Sequence, residues 1–507
     1  MARPAKPTLL AVFILLVYVA LSGATAYTLR PWIDEGWHGA PAWSLAFRGY
    51  MGTPCFVDPG LKDIDRYTYW IMPIYPVVQA AWYHIAGFSL ESMRALSILC
   101  VLLALLCGAW VYRRLADDWP GTLLFLAFLA CDYVNITGAA YGRPDAMALC
   151  FQAAAFAAYL RWRDKHLTRA ILLSQALVVA SGLTHPNGGI LSFLGVLWLM
   201  LYLDRRRLRW SQLAPAAVPY LIGAIGWGSY IVRDPTAFVS QYGYQLGSRT
   251  LTAPWVLLRD EIVKRYLTMM GLRAHSVGSY GPHFLKAFVF VAYSVSVAAI
   301  VAVPALRRRT AARVVLGLIC IDFLFLTFLD GTKAAYYLIY LVYPLTAATV
   351  LFTRWCWQGY PRIRPLIGLC LAGLLAIETG GVLDRVRRDA YHNEYLPAVD
   401  FLRAHAKPGQ LVAGSHELGF VMGFQHDFVD DHLLGLRTGR WPDYIFVEEI
   451  YRLRFETVRL KDPAEYARLR ERLAQYRSIY DKNFYQVLER QADLRRAGRQ
   501  VTMAVAP

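Results

Sequence analysis

The sequence predicts an all-α polytopic membrane protein with a small extracytoplasmic α/β domain at its carboxyl end. Of the 507 residues, 57% are hydrophobic and 18% are charged, which is too few charged residues for the water-facing surface of a soluble protein of this size. Apolar runs of membrane-spanning length recur between residues 9 and 384. The remaining part, 385–507, is rich in charge and contains two strand-like segments.

The apolar runs define about eleven predicted spans. The first, 9–29, contains no charged residue and is long enough to cross a bilayer core of about 30 Å at about 1.5 Å per residue. Its length and the lack of a convincing cleavage site favour a retained helix over a signal peptide. The further runs are 93–112, 121–140, 145–160, 170–184, 188–203, 212–232, 285–306, 313–329, 335–353 and 365–384.

Basic residues predict the orientation of these spans. Lys and Arg number 53 against 36 Asp and Glu, and most of the excess lies in short clusters between apolar runs. This distribution is typical of membrane topology and not of nucleic-acid binding. The clusters, near 3–6, 113–114, 161–169, 205–209, 307–313 and 354–364, mark the cytoplasmic face. The amino end is therefore expected inside and the carboxyl end outside.

The cysteines predict neither a disulfide framework nor a zinc site. The chain has eight cysteines, which fall mainly within apolar runs. None has the C-x-x-C spacing, and none follows residue 370.

Three segments lie outside the predicted spans. The core, 1–384, carries two extracytoplasmic loops at 30–92 and 233–284, and 385–507 forms the appended domain. Within that domain, 410–413 and 444–447 have the composition of strands, and 462–478 has the composition of a charged helix. This alternation indicates a small α/β domain.

The pair Asp34 and Glu35 follows the first span and is flanked by Trp32 and Trp37. A hydrated loop or a helix N-terminus with acidic residues in its first turn would explain the pair structurally. A carboxylate at this boundary could instead act as a general base on an acceptor hydroxyl or amine. Both interpretations are compatible with the sequence.

Two outward turns carry further ionisable residues. In 142–146, GRPDA, Pro144 suits a first helical turn, and Arg143 and Asp145 form either a structural pair or part of a site. In 184–189, THPNGG, the turn needs its Pro, Asn and Gly but not His185. A histidine in such a place is either a hydrogen-bonded structural group or a ligand.

Lys333 lies in a short outward turn, where the positive-inside bias predicts no basic residue. Tyr336 and Tyr337 follow it. Aromatic anchoring and snorkelling would explain these residues without a site. A functional interpretation is a cation for a lipid-linked phosphate.

Together these stretches resemble the membrane-embedded glycosyltransferases of the GT-C type, in the branch of protein O-mannosyltransferases and bacterial lipid A aminoarabinose transferases. The resemblance covers most of the chain and includes 69–99, where Pro73, Tyr75, Gly87 and Arg94 match a Pro-rich aromatic stretch followed by a Gly and an Arg. Many aminoarabinose-type members have a basic residue before the Pro pair, whereas this chain has Ile-Met at 71–72. This departure places close identity with those enzymes in doubt.

The resemblance implies a sugar donor on a polyprenyl phosphate, transfer with inversion, and a glycan, lipid or protein acceptor of the cell envelope. The implied catalytic residues are Asp34, Glu35 and Asp145, lining one outer cavity. The implied substrate-binding residues are Arg143, His185, Lys333, Tyr336, Tyr337, Tyr75 and Arg94, with Lys333 and Arg143 offsetting phosphate charge. A divalent metal is compatible with the chemistry, but the sequence offers no specific ligand set.

The excess of Arg over Lys suits a GC-rich genome and hence a bacterial plasma membrane, with the endoplasmic reticulum as the alternative. One rival function is a transporter or flippase, in which the same charges form a substrate path. Such proteins tend to place polar groups near mid-membrane and to show repeated halves. Here the candidate charges cluster at the outer boundary, with Asp322 as the main exception. The other rival is a membrane scaffold with a protein-binding tail.

Overall fold

The computed structural model describes residues 6–58, 60–247, 252–267, 285–425 and 427–491. Most of the described residues are helical. The helices of the amino-terminal half are α1 (Lys6–Thr28), α2 (Ile33–Arg48), α3 (Ile74–Ala86), α4 (Leu90–Ala116), α5 (Trp119–Cys131), α6 (Tyr133–Ala140), α7 (Pro144–Trp162), α8 (Leu167–Gly182), α9 (Pro186–Asp204), α10 (Leu213–Ile231), α11 (Pro235–Gly247) and α12 (Pro254–Asp260).

The helices that follow are α13 (Lys286–Ala302), α14 (Pro304–Arg307), α15 (Thr310–Phe328), α16 (Leu338–Gly359), α17 (Arg364–Arg388), α18 (Leu396–His405), α19 (Gly419–Met422), α20 (Glu449–Lys461) and α21 (Pro463–Leu473). Each of the predicted apolar runs lies on one of these helices or on a bent pair of them. The all-α polytopic class is therefore confirmed.

The number of spans stays a prediction. By length and composition, six helices in the described part of the chain could cross a membrane, and up to eight if each of two bent pairs counts as one span. The bent pairs are α5 with α6, at 56°, and 210–231 with α11, at 111°. Two shorter apolar helices are α8 and α13. The remaining predicted run, 145–160, lies on α7.

Ion pairs join the predicted cytoplasmic clusters at one end of the bundle. Arg114, near the end of α4, pairs with Asp164, which follows α7. Arg354 in α16 donates to Asp118, before α5, at 2.7 Å. The last residues of α7 lie at this end of the bundle. The first residue of α7 and the turn before it therefore lie at the opposite end. Helix α2 lies at that opposite end as well.

The glycines of the THPNGG turn allow α9 to approach both α8 and α7 closely. A Cβ at Gly189 would lie 2.3 Å from the Cα of Gly182, and one at Gly188 would lie 2.6 Å from the Cβ of Ala148. Small residues permit such close packing between membrane helices. The motif therefore has a packing role that does not involve His185.

The carboxyl-terminal part contains a five-stranded sheet in the order β2-β1-β3-β5-β4. The strands are β1 (Val412–Gly414), β2 (Phe428–Val429), β3 (Tyr444–Val447), β4 (Tyr476–Lys482) and β5 (Tyr485–Arg490). The first three are parallel, and β5 pairs antiparallel with both β3 and β4. The predicted strand at 444–447 coincides with β3, and the one at 410–413 overlaps β1. The predicted helix 462–478 ends earlier, because its last residues enter β4.

This sheet region packs on α2 and on the loop after it. Asp430, after β2, accepts from the indole N–H of Trp37 at 3.4 Å and from the guanidinium of Arg454 at 2.7 Å. Burial raises the pKa of Asp430, but Arg454 and His416 outweigh it and lower that pKa to about 2. The carboxylate stays ionised and holds α2 against the sheet region.

Gly36 lies at the centre of this interface. A Cβ at this position would lie 2.3 Å from the carbonyl carbon of His416 and 2.5 Å from the backbone nitrogen of Glu417. Both are backbone atoms, which cannot rotate away as a side chain can. Only glycine therefore allows α2 to come this close.

We expect Gly36→Ala to lower the free energy of unfolding by about 1–3 kcal/mol, because the methyl group would push α2 away from the sheet region. Thermal unfolding of the purified protein in detergent measures the change. Gly23→Ala in α1 is the matched control, since its methyl group would meet no atom within 4 Å. Equal stability of the two variants would contradict the packing described here.

Candidate active site

The first turn of α2 carries the two predicted carboxylates. Trp32 is the N-cap residue and has extended backbone. Its backbone N–H donates to the Glu35 carboxylate at 2.9 Å. Acidic side chains in a first helical turn are stabilised by the helix dipole and by free N–H groups. Glu35 is thus explained by its place in the first turn of a helix. Asp34 does not take part in this N-terminal contact.

Glu35 is fully buried and binds Arg94 of α4. The Arg94 Nε and one terminal nitrogen donate to the two carboxylate oxygens at 2.8 and 2.7 Å. Arg94 also donates to the carbonyls of Ala26 and Leu29 at 2.6 and 2.7 Å, and Glu35 accepts from the Gly142 N–H at 2.8 Å. This network joins the end of α1, the starts of α2 and α4, and the turn before α7.

Arg143 brings Asp34 and Asp145 together. One terminal nitrogen donates to the Asp34 carboxylate, and Nε donates to Asp145 Oδ2 at 2.9 Å. The guanidinium carbon lies 4.7 Å from the ring centroid of Trp32 and 3.8 Å from that of Tyr336. Aromatic faces stabilise a cation held between them. The sequence analysis predicted Arg143 and three of its neighbours as site residues. These neighbours are Asp34, Asp145 and Tyr336, and in the structure each of them contacts Arg143.

Two histidines extend this cluster. His185 Nε2 lies 3.8 Å from Asp145 Oδ1, and its ring lies 5.4 Å from that of Tyr337. His38, one turn after Asp34 on α2, has its ring 5.7 Å from Tyr75. Burial lowers the pKa of His38 to about 3, so this imidazole is neutral at physiological pH.

The three predicted carboxylates differ in exposure. The side chain of Asp34 is 17% exposed, whereas those of Asp145 and Glu35 are 4% and 0% exposed. The expectation that Glu35 lines the same outer cavity is wrong, because four donors from three residues enclose its oxygens. Arg94 is likewise a structural partner of Glu35 and is not placed to bind a substrate.

Lys333 belongs to a second buried ion cluster. Its Nζ lies 3.2 Å from Glu261 Oε2 and donates to the Leu326 carbonyl at 3.0 Å and to the Thr327 carbonyl. Arg265 donates to Glu261 at 2.9 Å and also binds Asp330. The expectation of a lysine that faces a lipid phosphate does not fit this position, because its charge is already neutralised and its side chain is 1% exposed.

Sequence reasoning did not single out His38, Glu261 or Arg265. His38 is four residues after Asp34, and Glu261 is four residues before Arg265, a spacing that puts both members of each pair on one helix face. This four-residue spacing is the sequence signal from which these residues could have been found. Among the described residues, no group of three or more His, Cys, Asp or Glu side chains could hold a metal ion.

Solved structures share this fold. The chain is similar to ArnT from Cupriavidus metallidurans, solved with undecaprenyl phosphate bound, at a TM-score of 0.59 and 14% identity over 96% of this chain and 98% of that one. It is also similar to the apo oligosaccharyltransferase of Archaeoglobus fulgidus, at 0.55 and 11% over 96% and 74%. No protein-family model and no curated protein matches the chain. The chain therefore has the GT-C fold, as the sequence predicted.

We expect Glu35→Gln to lower the free energy of unfolding by about 3–5 kcal/mol, because it leaves the Arg94 guanidinium buried without a counter-charge. Thermal unfolding in detergent measures the loss. Glu456→Gln is the control: Glu456 is 47% exposed in its pair with Arg459, and its loss is expected to cost less than about 1 kcal/mol. A Glu35→Gln protein as stable as the control would refute the structural role.

Proposed function

We propose that this protein is a glycosyltransferase that moves a sugar from a polyprenyl-phosphate donor to an extracytoplasmic acceptor, with inversion at the anomeric carbon. The fold is that of membrane enzymes, one of which was solved with undecaprenyl phosphate bound. The observation that carries the proposal is the contact of a partly exposed carboxylate, Asp34, with the guanidinium of Arg143 at the bundle end opposite the basic clusters. In this proposal Asp34 is the base and Arg143 is the cation beside it.

Asp34 is proposed as the base because it is the most exposed of the three predicted carboxylates, and a base must reach the proton that it removes. A general base accepts the proton in its ionised form. Asp34 would take the proton of the acceptor hydroxyl or amine as the new bond to the anomeric carbon forms.

Arg143 is proposed to stabilise the departing phosphate. As the bond from the anomeric carbon to the phosphate oxygen breaks, that oxygen keeps the electron pair, and the lipid phosphate gains negative charge. A guanidinium held in place before the reaction stabilises this charge without reorganisation. Asp145 fixes the guanidinium from its other side, at 2.9 Å from Nε, and the Trp32 and Tyr336 rings enclose it.

The remaining predicted residues have supporting roles in this proposal. His185, Tyr337 and Tyr75 would line the sugar or lipid side of the site, since they lie next to the Asp145 and His38 side chains. Glu35 and Arg94 position the loop that carries Arg143. Lys333, with Glu261 and Arg265, would hold the segment before Tyr336 in place.

The acceptor is proposed to be a glycan, lipid or protein of the cell envelope, and the membrane to be the bacterial plasma membrane. The cytoplasmic assignment of the basic clusters supports an outer location for the site, because the clusters lie at the opposite end of the bundle. The domain division at 384/385 is proposed on the same grounds, with the sheet region on the outer side next to α2.

We expect Asp34→Asn to reduce sugar transfer by about 100-fold or more, because an amide cannot accept the acceptor proton. Transfer of a labelled sugar from a polyprenyl-phosphate donor, measured in membranes, tests this. Membrane insertion and thermal stability should be unchanged. Asp65→Asn, an exposed carboxylate of the first loop, is the matched control and should retain activity. Full activity of Asp34→Asn would reject the proposed function.

A transporter or flippase is the second candidate. The observation that favours it is a cavity of about 80 Å³ among α4, α5, α7, α15 and α16, lined mostly by apolar side chains but also by Asp322 and Gln152. Polar groups inside a membrane bundle often mark a substrate path.

Reconstitution into vesicles separates the two candidates. A glycosyltransferase should form a new glycosidic product and show no counterflow of labelled donor in the absence of an acceptor. Counterflow without product would favour transport, and Asp322→Asn should then slow it while Asp34→Asn slows it less.

A further inference from the structure

Two basic residues stand at the end of the bundle where few basic residues are expected. Lys286 begins α13, and Arg385 lies in the last turn of α17. Both helices have their other ends in basic clusters, near 307–313 and 354–364. Lys286 and Arg385 therefore lie at the same end as α2 and Arg143, and the positive-inside distribution does not account for them.

Both cations contact one aromatic ring at the start of α6. Lys286 Nζ lies 3.4 Å from the ring centroid of Tyr133, and the guanidinium carbon of Arg385 lies 4.4 Å from it. Arg385 also donates to the Thr137 hydroxyl at 2.8 Å and to the Tyr133 hydroxyl. All of these contacts are to neutral groups.

Two nearby carboxylates accept hydrogen bonds from groups other than Lys286 and Arg385. Glu378 accepts from the Tyr133 backbone N–H at 2.8 Å, and Asp384 binds Arg388 at 2.6 Å. Within the described ranges, the ion pairs within 4.0 Å do not include Lys286 or Arg385. The neighbouring segment 268–284 contains no Asp or Glu at all. Glu378 attracts Lys286 from beyond ion-pair distance, and Arg385 has no carboxylate within that distance among the described residues. Like charges at one ring repel each other.

We infer that Lys286 and Arg385, with the Tyr133 and Thr137 hydroxyls, bind the phosphate group of a lipid in the outer half of the membrane. A phosphate supplies negative charge to the two cations, and the guanidinium and ammonium groups donate the hydrogen bonds that its oxygens accept. Snorkelling explains one long basic side chain at a membrane boundary. It does not explain two basic side chains that converge on one ring with two hydroxyl groups beside them.

This lipid-phosphate site is separate from the Asp34 cluster. Thr137 lies on α6, which ends at Ala140, whereas Arg143 lies in the turn before α7. The two sites share α6 and the turn after it, and they share no charged residue. The inference requires lipid binding only, and it stands whether or not the chain transfers sugar.

The test is lipid binding by the full-length protein, freed of endogenous lipid in detergent and titrated with phosphatidylglycerol or phosphatidylcholine. Native mass spectrometry counts the bound lipid. We expect the wild type to bind phosphatidylglycerol more tightly than phosphatidylcholine, because the choline group of phosphatidylcholine offsets the charge of its phosphate. The double variant Lys286→Gln/Arg385→Gln should weaken phosphatidylglycerol binding about tenfold, because each basic residue at a membrane surface attracts anionic lipid.

Two controls and one replacement variant make the result decisive. Arg387→Gln, whose side chain is 84% exposed two residues from Arg385, should bind as the wild type does. Lys286→Arg should retain binding because the charge remains. If the double variant does not fold, as judged by the loss of its thermal transition, the single variant Lys286→Gln replaces it in the test. The described contact of Lys286 is with the face of the Tyr133 ring, so this substitution removes no hydrogen bond described here.

Competition with a polyprenyl phosphate identifies the source of the phosphate. Displacement of phosphatidylglycerol at equal or lower concentration supports the site and assigns it to a lipid-linked sugar carrier. A lack of displacement supports the site and assigns it to a phospholipid. Asp34→Asn should bind both lipids normally, so loss of transfer and loss of this site are separable. Equal binding by the wild type, the Arg387→Gln control and both Gln variants at Lys286 overturns the inference.

Discussion

The Glu35 and Arg94 ion pair is the interaction on which the geometry of the site depends. Neither side chain is accessible to solvent, and between them they bind backbone atoms of α1, of the N-cap of α2 and of the turn before α7. A buried ion pair costs free energy unless its hydrogen bonds are all satisfied, and here nearly every donor and acceptor is used. The ion pair therefore fixes four chain segments relative to one another: the end of α1, the starts of α2 and α4, and the turn before α7.

This arrangement explains why adjacent carboxylates have different roles. Consecutive residues in a helix point about 100° apart, so when Glu35 faces Arg94, Asp34 must face another direction. That direction contains Arg143, which the turn at Gly142 holds in place through its own hydrogen bond to Glu35. The buried carboxylate thus sets both the base and the cation that the proposed reaction needs.

The sequence predicted the helices and the membership of this cluster better than it predicted individual roles. Apolar runs and turn motifs are local, and they located the helices and brought Asp34, Arg143 and His185 to one end. Tertiary partners are not local: Glu35 and Arg94 are 59 residues apart, and Lys333 meets Glu261 from a loop with little pattern. The strand β2 has two residues, too few for any periodicity to reveal it.

The sheet region is joined to the site by the same helix. Gly36 follows Glu35 directly, and its backbone lies against that of His416, while Trp37 binds Asp430. A displacement of the sheet region therefore moves the helix turn that carries Asp34. Packing at a single glycine thus connects a region outside the predicted spans to the chemistry proposed at the membrane boundary.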